Sequence, residues 1–209
     1  MRGDMGRRLV EAAARLLAES GPSALSARKV AAAAGTSTMS VYTCFGSMEV
    51  LVRAVVEEGF AMLERRLVEV VATDDPVRDV AAQSAAYLAH AREYAELYAV
   101  MFGTASLGQF RLPSPSTEQR GRTQTLDRIA VNLGRAVDLD RLRPASAGDL
   151  SFRWWSSVHG YALLETTGFI HADPGRQRVL EPMLVAFFAG SGDDVAAART
   201  SVSEGLSAG

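Results

Sequence analysis

Along the whole chain apolar residues recur every third or fourth position, and the period-two alternation of a half-buried strand is almost absent. A helix returns to the same face every 3.6 residues, so this pattern commits the chain to packed helices and excludes a sheet architecture. Glycine and proline then cut the pattern into pieces. A first amphipathic stretch carrying Leu9, Ala13, Leu16 and Leu17 stops at Glu19-Ser20-Gly21-Pro22, where glycine takes a left-handed cap and proline cannot continue a helix. Two very short helices are expected next, over 26–34 before Gly35 and over 37–44 before Gly46. Each opens on a hydroxyl residue able to accept hydrogen bonds from the first free backbone N–H groups. A long helix over 47–73 has an apolar face broader than one stripe, as suits a helix packed on two neighbours. It ends at the break Thr73-Asp74-Asp75-Pro76. Beyond lie expected helices over 76–91, 92–102, 116–137, 146–167 and 174–189, with a loop rich in breakers over 103–115. The last residues, 191–209, are small and polar and read as a flexible tail, with at most a short helix near 195–200.

Length and composition remove several classes of function. With 209 residues the chain can bury a core without metal or disulfide staples, and its one cysteine, Cys44, cannot form an internal disulfide. His90, His159 and His171 lack the paired spacing of a zinc site, so no metal is expected. No nucleophile elbow, phosphate loop or dinucleotide fingerprint is present; neither an enzyme nor a cofactor is expected. The longest plainly apolar run near the C-terminus, 183–189, is far short of the roughly 18 residues that span a bilayer, and a soluble cytoplasmic protein without a membrane partner is the default. Twenty-two basic against 24 acidic residues leave a net charge of −2, which argues against a generic nucleic-acid coat.

The information lies in the two short helices and their glycine turn, preceded by one helix and followed by another. This is the pattern of a three-helix DNA-binding core. Val30, Ala31 and Ala34 supply a small inner face for the second helix, Gly35 permits the turn, and Val41 and Phe45 anchor the third helix. Thr36, Thr38, Met39, Ser40, Tyr42 and Thr43 are left on or beside the outer face. These residues are hydroxylated or apolar and uncharged, and they gather toward the helix N-terminus. That suits a helix whose positive dipole end approaches phosphates while short side chains meet base edges or thymine methyl groups.

Residues 7–51 resemble the N-terminal domain of the tetracycline-repressor (TetR) family of bacterial regulators. The resemblance rests on Ala34-Gly35-Thr36-Ser37, on Tyr42 and Phe45 three apart, and on Ser47-Met48-Glu49-Val50-Leu51. It implies DNA contacts from Ser26 and Arg28, from Ser37, Thr38 and Met39, and from Tyr42 on the DNA backbone. Two positions depart from the family pattern: Met48 stands where a backbone-contacting lysine is usual, and Cys44 where a histidine or similar residue is common.

The C-terminal half resembles the TetR subgroup whose effector domain is named for tryptophan, histidine and glycine. Leu142-Arg143-Pro144, Trp155, Val158-His159-Gly160, Leu164-Glu165 and Gly168 carry that likeness. It implies a small-effector site and a dimer made through the last two long helices. By spacing alone, Trp155 and His159 share a helix face, and Tyr87, Tyr94, Tyr98, Met101 and Phe102 form an aromatic-rich region suited to a mostly apolar pocket. Tyr87, Tyr98, Met101, Phe102, Trp155 and His159 are therefore the candidate ligand residues, with either Trp154 or Trp155 facing the pocket.

The expected organisation is an all-α chain. A helix-turn-helix DNA-binding domain over 1–46 leads into a connecting helix over 47–73, an effector-binding and dimerisation domain over 74–190, and the tail. The expected function is a homodimeric repressor of a pseudo-palindromic double-stranded DNA operator, released by a small, mostly apolar effector. The competing reading is a dimeric small-molecule binding protein whose head has lost DNA binding. Met48 and the modest charge of +2 over residues 1–50 (six bases, four acids) motivate it.

Overall fold

The computed structural model describes residues 2–104 and 120–208, and no strand occurs among them. α1 (Arg2–Ser20), α2 (Ala27–Ala33), α3 (Thr38–Phe45) and α4 (Met48–Val68) are followed by α5 (Pro76–Glu93), α6 (Ala95–Met101), α7 (Arg120–Asp138) and α8 (Ala147–Thr166). α9 (Ala172–Gly175), α10 (Glu181–Ser191) and α11 (Val195–Ala208) complete the chain. The fold is all-α, as the hydrophobic periodicity requires. Apart from Gly103 and Thr104, the loop expected over 103–115 lies outside the described residues, as does the helix start expected at Ser116. Among the described residues no single helix is long and apolar enough to cross a membrane; only α3 and α4 taken together across a 76° bend reach that length and composition.

Two compact units emerge, Met1–Met62 with Tyr94–Gly121 and Leu63–Glu93 with Arg122–Gly209. The division falls within α4 rather than between helices, so neither unit coincides with the sequence segments 47–73 and 74–190.

In the first unit, α1 supplies Leu9, Ala12, Ala13 and Leu17 to a core shared with Val30 and Ala31 of α2, Val41 of α3, and Leu51, Val52 and Val55 of α4. α1 ends where expected: Gly21 has φ +70°, and its N–H donates to the Leu17 carbonyl at 2.9 Å. Ser26 caps α2 by accepting from Lys29 N at 3.3 Å. α6 packs against α4 at a notch. A Cβ on Gly59 would lie 2.7 Å from Met101 Sδ, so only glycine admits the methionine there.

In the second unit the end of α4 comes five residues before the expected Thr73. The backbone and hydroxyl of Thr73 leave the helix to bond the buried Asp79 carboxylate, at 3.0 and 2.7 Å. Such side-chain partners compete with the helical ladder. Arg135 adds a 2.7 Å ion pair to Asp79, and Asn132 donates to Gln83 at 3.1 Å. The helix expected over 174–189 is a longer run, Ala172 to Ser191, interrupted by a π turn at Arg176–Leu180. Pro182 has no N–H and its ring crowds the carbonyl four residues earlier, which the wider turn accommodates.

The flexible tail expected over 191–209 is corrected by α11. Asp194 accepts from Ala196 N and Ala197 N at 3.0 and 2.9 Å, which starts the helix. Ala198, Ser201, Val202, Gly205 and Leu206 are buried, and α11 makes an extensive interface with α5. The small residues are what permits the approach: a Cβ on Gly205 would overlap the Arg78 carbonyl oxygen. A forked ion pair from Arg141 to Asp193, both contacts at 2.7 Å, fixes the preceding turn, and the Ser201 hydroxyl donates to Asp75. Burial pushes the Asp75 carboxyl up, but the bonds from Ser201 and the Arg78 backbone, with the nearby Arg141 guanidinium, outweigh it and hold the group below its usual range.

Candidate functional site

The α2–α3 turn is built by backbone geometry. Gly35 adopts φ +63°, its N–H bonds the Ala32 carbonyl, and Thr36 N bonds the Ala31 carbonyl at 2.9 Å. From α1, Arg8 donates to the Ala34 carbonyl at 2.8 Å, closing the end of α2 with a cation. Sequence reading misses Arg8; an arginine directly preceding the buried Leu9 is the available signal, because it must leave the core by the helix flank.

α3 then presents the expected face. Ser37, Thr38, Met39, Tyr42 and Thr43 are exposed, Met39 by 70% and Tyr42 by 50%, while Arg28 is exposed on α2. An exposed methionine and tyrosine close together on one short helix are costly to hydrate unless another surface covers them. Thr36 and Ser40 are bonded to each other, Oγ1 to Oγ at 2.8 Å, with Ser37 Oγ 3.3 Å from Ser40. Ser26 is half-buried and occupied as a cap. Thr36, Ser40 and Ser26 shape the turn, and the exposed five are available to a partner. Beside them a concavity of about 380 Å³ runs between α3 and the start of α1, lined by Asp4, Met5, Met39 and Cys44 among others. Met48, which stands where the family pattern has a backbone-contacting lysine, is buried at 7% exposure and belongs to the core.

The six candidate ligand residues fall into two groups. In the first unit Tyr98 and Met101 are buried; Tyr98 and Phe102 pack with ring centroids 4.7 Å apart, and Phe60 meets Phe102 edge-on at 5.5 Å. In the second unit Tyr87, Trp155 and His159 form one polar-aromatic cluster. The Tyr87 oxygen accepts from Trp155 Nε1 at 3.1 Å and lies 3.2 Å from His159 Nδ1, with the Trp155 and His159 rings stacked at 5.1 Å. If the tyrosine donates to Nδ1, the proton of a neutral His159 stands on Nε2. The two tryptophans separate cleanly. Trp154 is fully buried, bonded to Ser84 Oγ at 2.9 Å and edge-on to Tyr87; Trp155 is half-buried on the flank. Among the described residues no group of His, Cys, Asp and Glu is placed to hold a metal ion.

Residues 9–55 match the family model described as bacterial regulatory proteins, tetR family, and residues 80–187 match that of a tetracyclin repressor-like C-terminal domain. No curated protein matches. Among solved structures, a protein of unknown function from Rhodococcus sp. RHA1 is similar at 24% identity and a TM-score of 0.75, covering 90% of this chain and 96% of that one. RolR in complex with resorcinol aligns at 18% identity and a TM-score of 0.69, covering 97% and 94%. SmeT, the repressor of the Stenotrophomonas maltophilia multidrug efflux pump SmeDEF, aligns at 23% and 0.63, covering 91% and 92%.

Proposed function

Because this chain belongs to the TetR family of bacterial regulators, we propose that it is a homodimeric repressor that binds a pseudo-palindromic operator and is released by a small, mostly apolar effector. The observation that carries the reading is the uncharged, exposed start of α3 in the first unit: Ser37, Thr38, Met39, Tyr42 and Thr43, with Arg28 nearby. Short hydroxyls and a thioether at a helix N-terminus suit close entry into a major groove, with Tyr42 and Arg28 on phosphates. A two-fold dimer reads a two-fold site with half-site centres about one helical turn apart.

Support for the dimer comes from the apolar surface of α8 and of the segment between α8 and α10. Phe152, Leu164, Phe169 and Val179 are exposed, and a methyl group placed on Gly160 or Gly190 would meet no atom within 4 Å, leaving room for a partner helix. Trp155 and the run from Val158 to Gly160 favour assignment to the subgroup with a tryptophan-histidine-glycine effector domain. In this reading the candidate effector residues are Tyr87, Tyr98, Met101, Phe102, Trp155 and His159. Movement of α6 against the Gly59 notch of α4 passes the change to the head. Release then requires only that the effector bind the two states with unequal affinity.

Selection of genomic DNA fragments by the purified full-length protein tests the reading. A recovered palindrome with half-sites about one turn apart is the expected result. Recovery of no palindrome at low salt overturns it in favour of a binding protein with a silent head, a reading that the burial of Met48 supports.

A further inference from the structure

The second unit contains a cleft that shares no lining residue with the reading face or the aromatic clusters. Its volume is about 480 Å³, within the range that accepts small organic ligands. The cleft follows the hairpin of the α4 tail and α5. Contact of Arg66 with Glu93 marks one end, and the bonds from Thr73 to Asp79 mark the other.

Between those ends the floor is Ala82, Ala86 and Ala89, four and three residues apart on one face of α5, so that it offers only methyl groups. Val70 and Val71 form a wall, and Val71 is 81% exposed, an apolar side chain with no covering element among the described residues.

The charges are unequal in availability. Asp79 is saturated by Thr73 N, Thr73 Oγ1 and Arg135, so it neither needs nor attracts a further cation. Glu69 stands exposed at the rim. Arg78, at the same end as Asp79, has a 3.4 Å contact to the exposed Glu204, and its own side chain is 39% exposed. At the far end Arg66 is engaged by Glu93, and its buried Nη1 has no hydrogen-bond partner among the described residues.

We propose that this cleft binds an amphipathic monocarboxylate. Its carboxylate pairs with the Arg78 fork, and its apolar chain lies along Ala82, Ala86 and Ala89 against Val71 toward Arg66. A guanidinium fork matches a carboxylate in two parallel bonds, and the methyl floor rewards an unbranched apolar body while giving nothing to a polar one. The site shares no residue with the effector reading, and its occupancy is measured on the protein itself rather than through DNA release, so each can fail without the other.

The test uses octanoate as probe on the full-length protein, by calorimetry and by methyl shifts of Val71 and the floor alanines. Octanoate is expected to bind and to shift those methyls, with octylamine not binding. Arg78→Gln, a change of a partly exposed side chain, is expected to weaken octanoate about tenfold, the loss of a charge-assisted pair. Ala89→Phe, which fills the floor, is expected to abolish binding. Absence of octanoate binding, equal binding of octylamine, or full affinity in the folded Arg78→Gln protein each overturns the proposal. Far-UV circular dichroism confirms that each variant is folded; should Ala89→Phe fail to fold, Arg78→Gln alone decides.

Discussion

The polar side chains of the reading head and those of the second unit are used in opposite ways. Ser37 just before α3, and Thr38, Tyr42 and Thr43 on it, are exposed, and beyond the 3.3 Å contact of Ser37 with Ser40 the structure asks little of their hydroxyls. In the second unit Asp79, Gln83, Asn132, Asp193 and Ser201 are buried and bonded, and they hold the α4–α5 loop and α11 in place. Stability and recognition are thereby separated along the chain. Substitutions in one region should change melting without changing the DNA contacts, and substitutions in the other should do the reverse.

The largest effect belongs to Asp79. Asp79→Ala removes the shared acceptor of Arg135 and of the Thr73 N–H and hydroxyl; Arg135 keeps its bonds to Asn132 and the Thr73 carbonyl, so the loss is about 3 kcal/mol, the lower end of the range for breaking a buried pair. Urea unfolding should show that loss, with unchanged DNA affinity for the fraction that remains folded. A loss under about 1 kcal/mol would mean that solvent reaches the pair and would break the comparison.

Next is His90, buried at 1% exposure, whose pKa is pushed down to about 4 first by burial and then by the Arg66 guanidinium, with Glu93 opposing. The unfolded chain protonates near 6.5 while the folded one does not, so the unfolded state binds more protons between these values. Stability therefore falls as pH drops from about 6.5 to about 4, by on the order of 3 kcal/mol, and levels off below. His90→Leu should remove that part of the acid slope in a pH series of thermal melts. An unchanged slope would assign the acid sensitivity to other groups.

Gly205→Val should cost less, about 1–3 kcal/mol, because a Cβ there meets the Arg78 carbonyl and α11 must lift from α5. Hydrogen exchange over Ala198 to Val202 would rise with it. Exchange equal to that of the unaltered protein would show that α11 absorbs the side chain without lifting.

The two regions also differ in how far they can be read from sequence. Head geometry comes from neighbours in the chain: Gly35 must take positive φ, Ser26 caps the residue three further on, and Val41 returns to the core by helical spacing. α11 depends on partners more than a hundred residues away. Its alanines and Gly205 look featureless until α5 supplies a facing run of alanines, and only the cap residue Asp194 after Gly192-Asp193 advertises a helix start. The early end of α4 is hidden differently in the sequence: Thr73 leaves the helix for Asp79, six residues on, and that carboxylate is held in place by Arg135 from α7. Met48 is read there by its place in a motif, and its burial depends on packing that the motif does not encode.

The smallest expected effects are in the head, and they test the comparison from its other side. Tyr42→Phe removes one hydroxyl from a half-exposed ring, and Thr38→Ala one from an exposed helix start. Neither change strands a buried partner among the described residues, so stability should stay within about 0.5 kcal/mol. Each neutral hydrogen bond lost to DNA is worth about 1 kcal/mol, so operator affinity should drop roughly fivefold per variant. The two losses differ in kind. A phosphate contact by Tyr42 should weaken all sequences alike, whereas a base-edge contact by Thr38 should weaken the operator more than random DNA. Titration of both variants against operator and nonspecific duplex separates these cases, and unchanged affinity in both would remove the two residues from the contact set and leave recognition to Ser37, Met39 and Thr43.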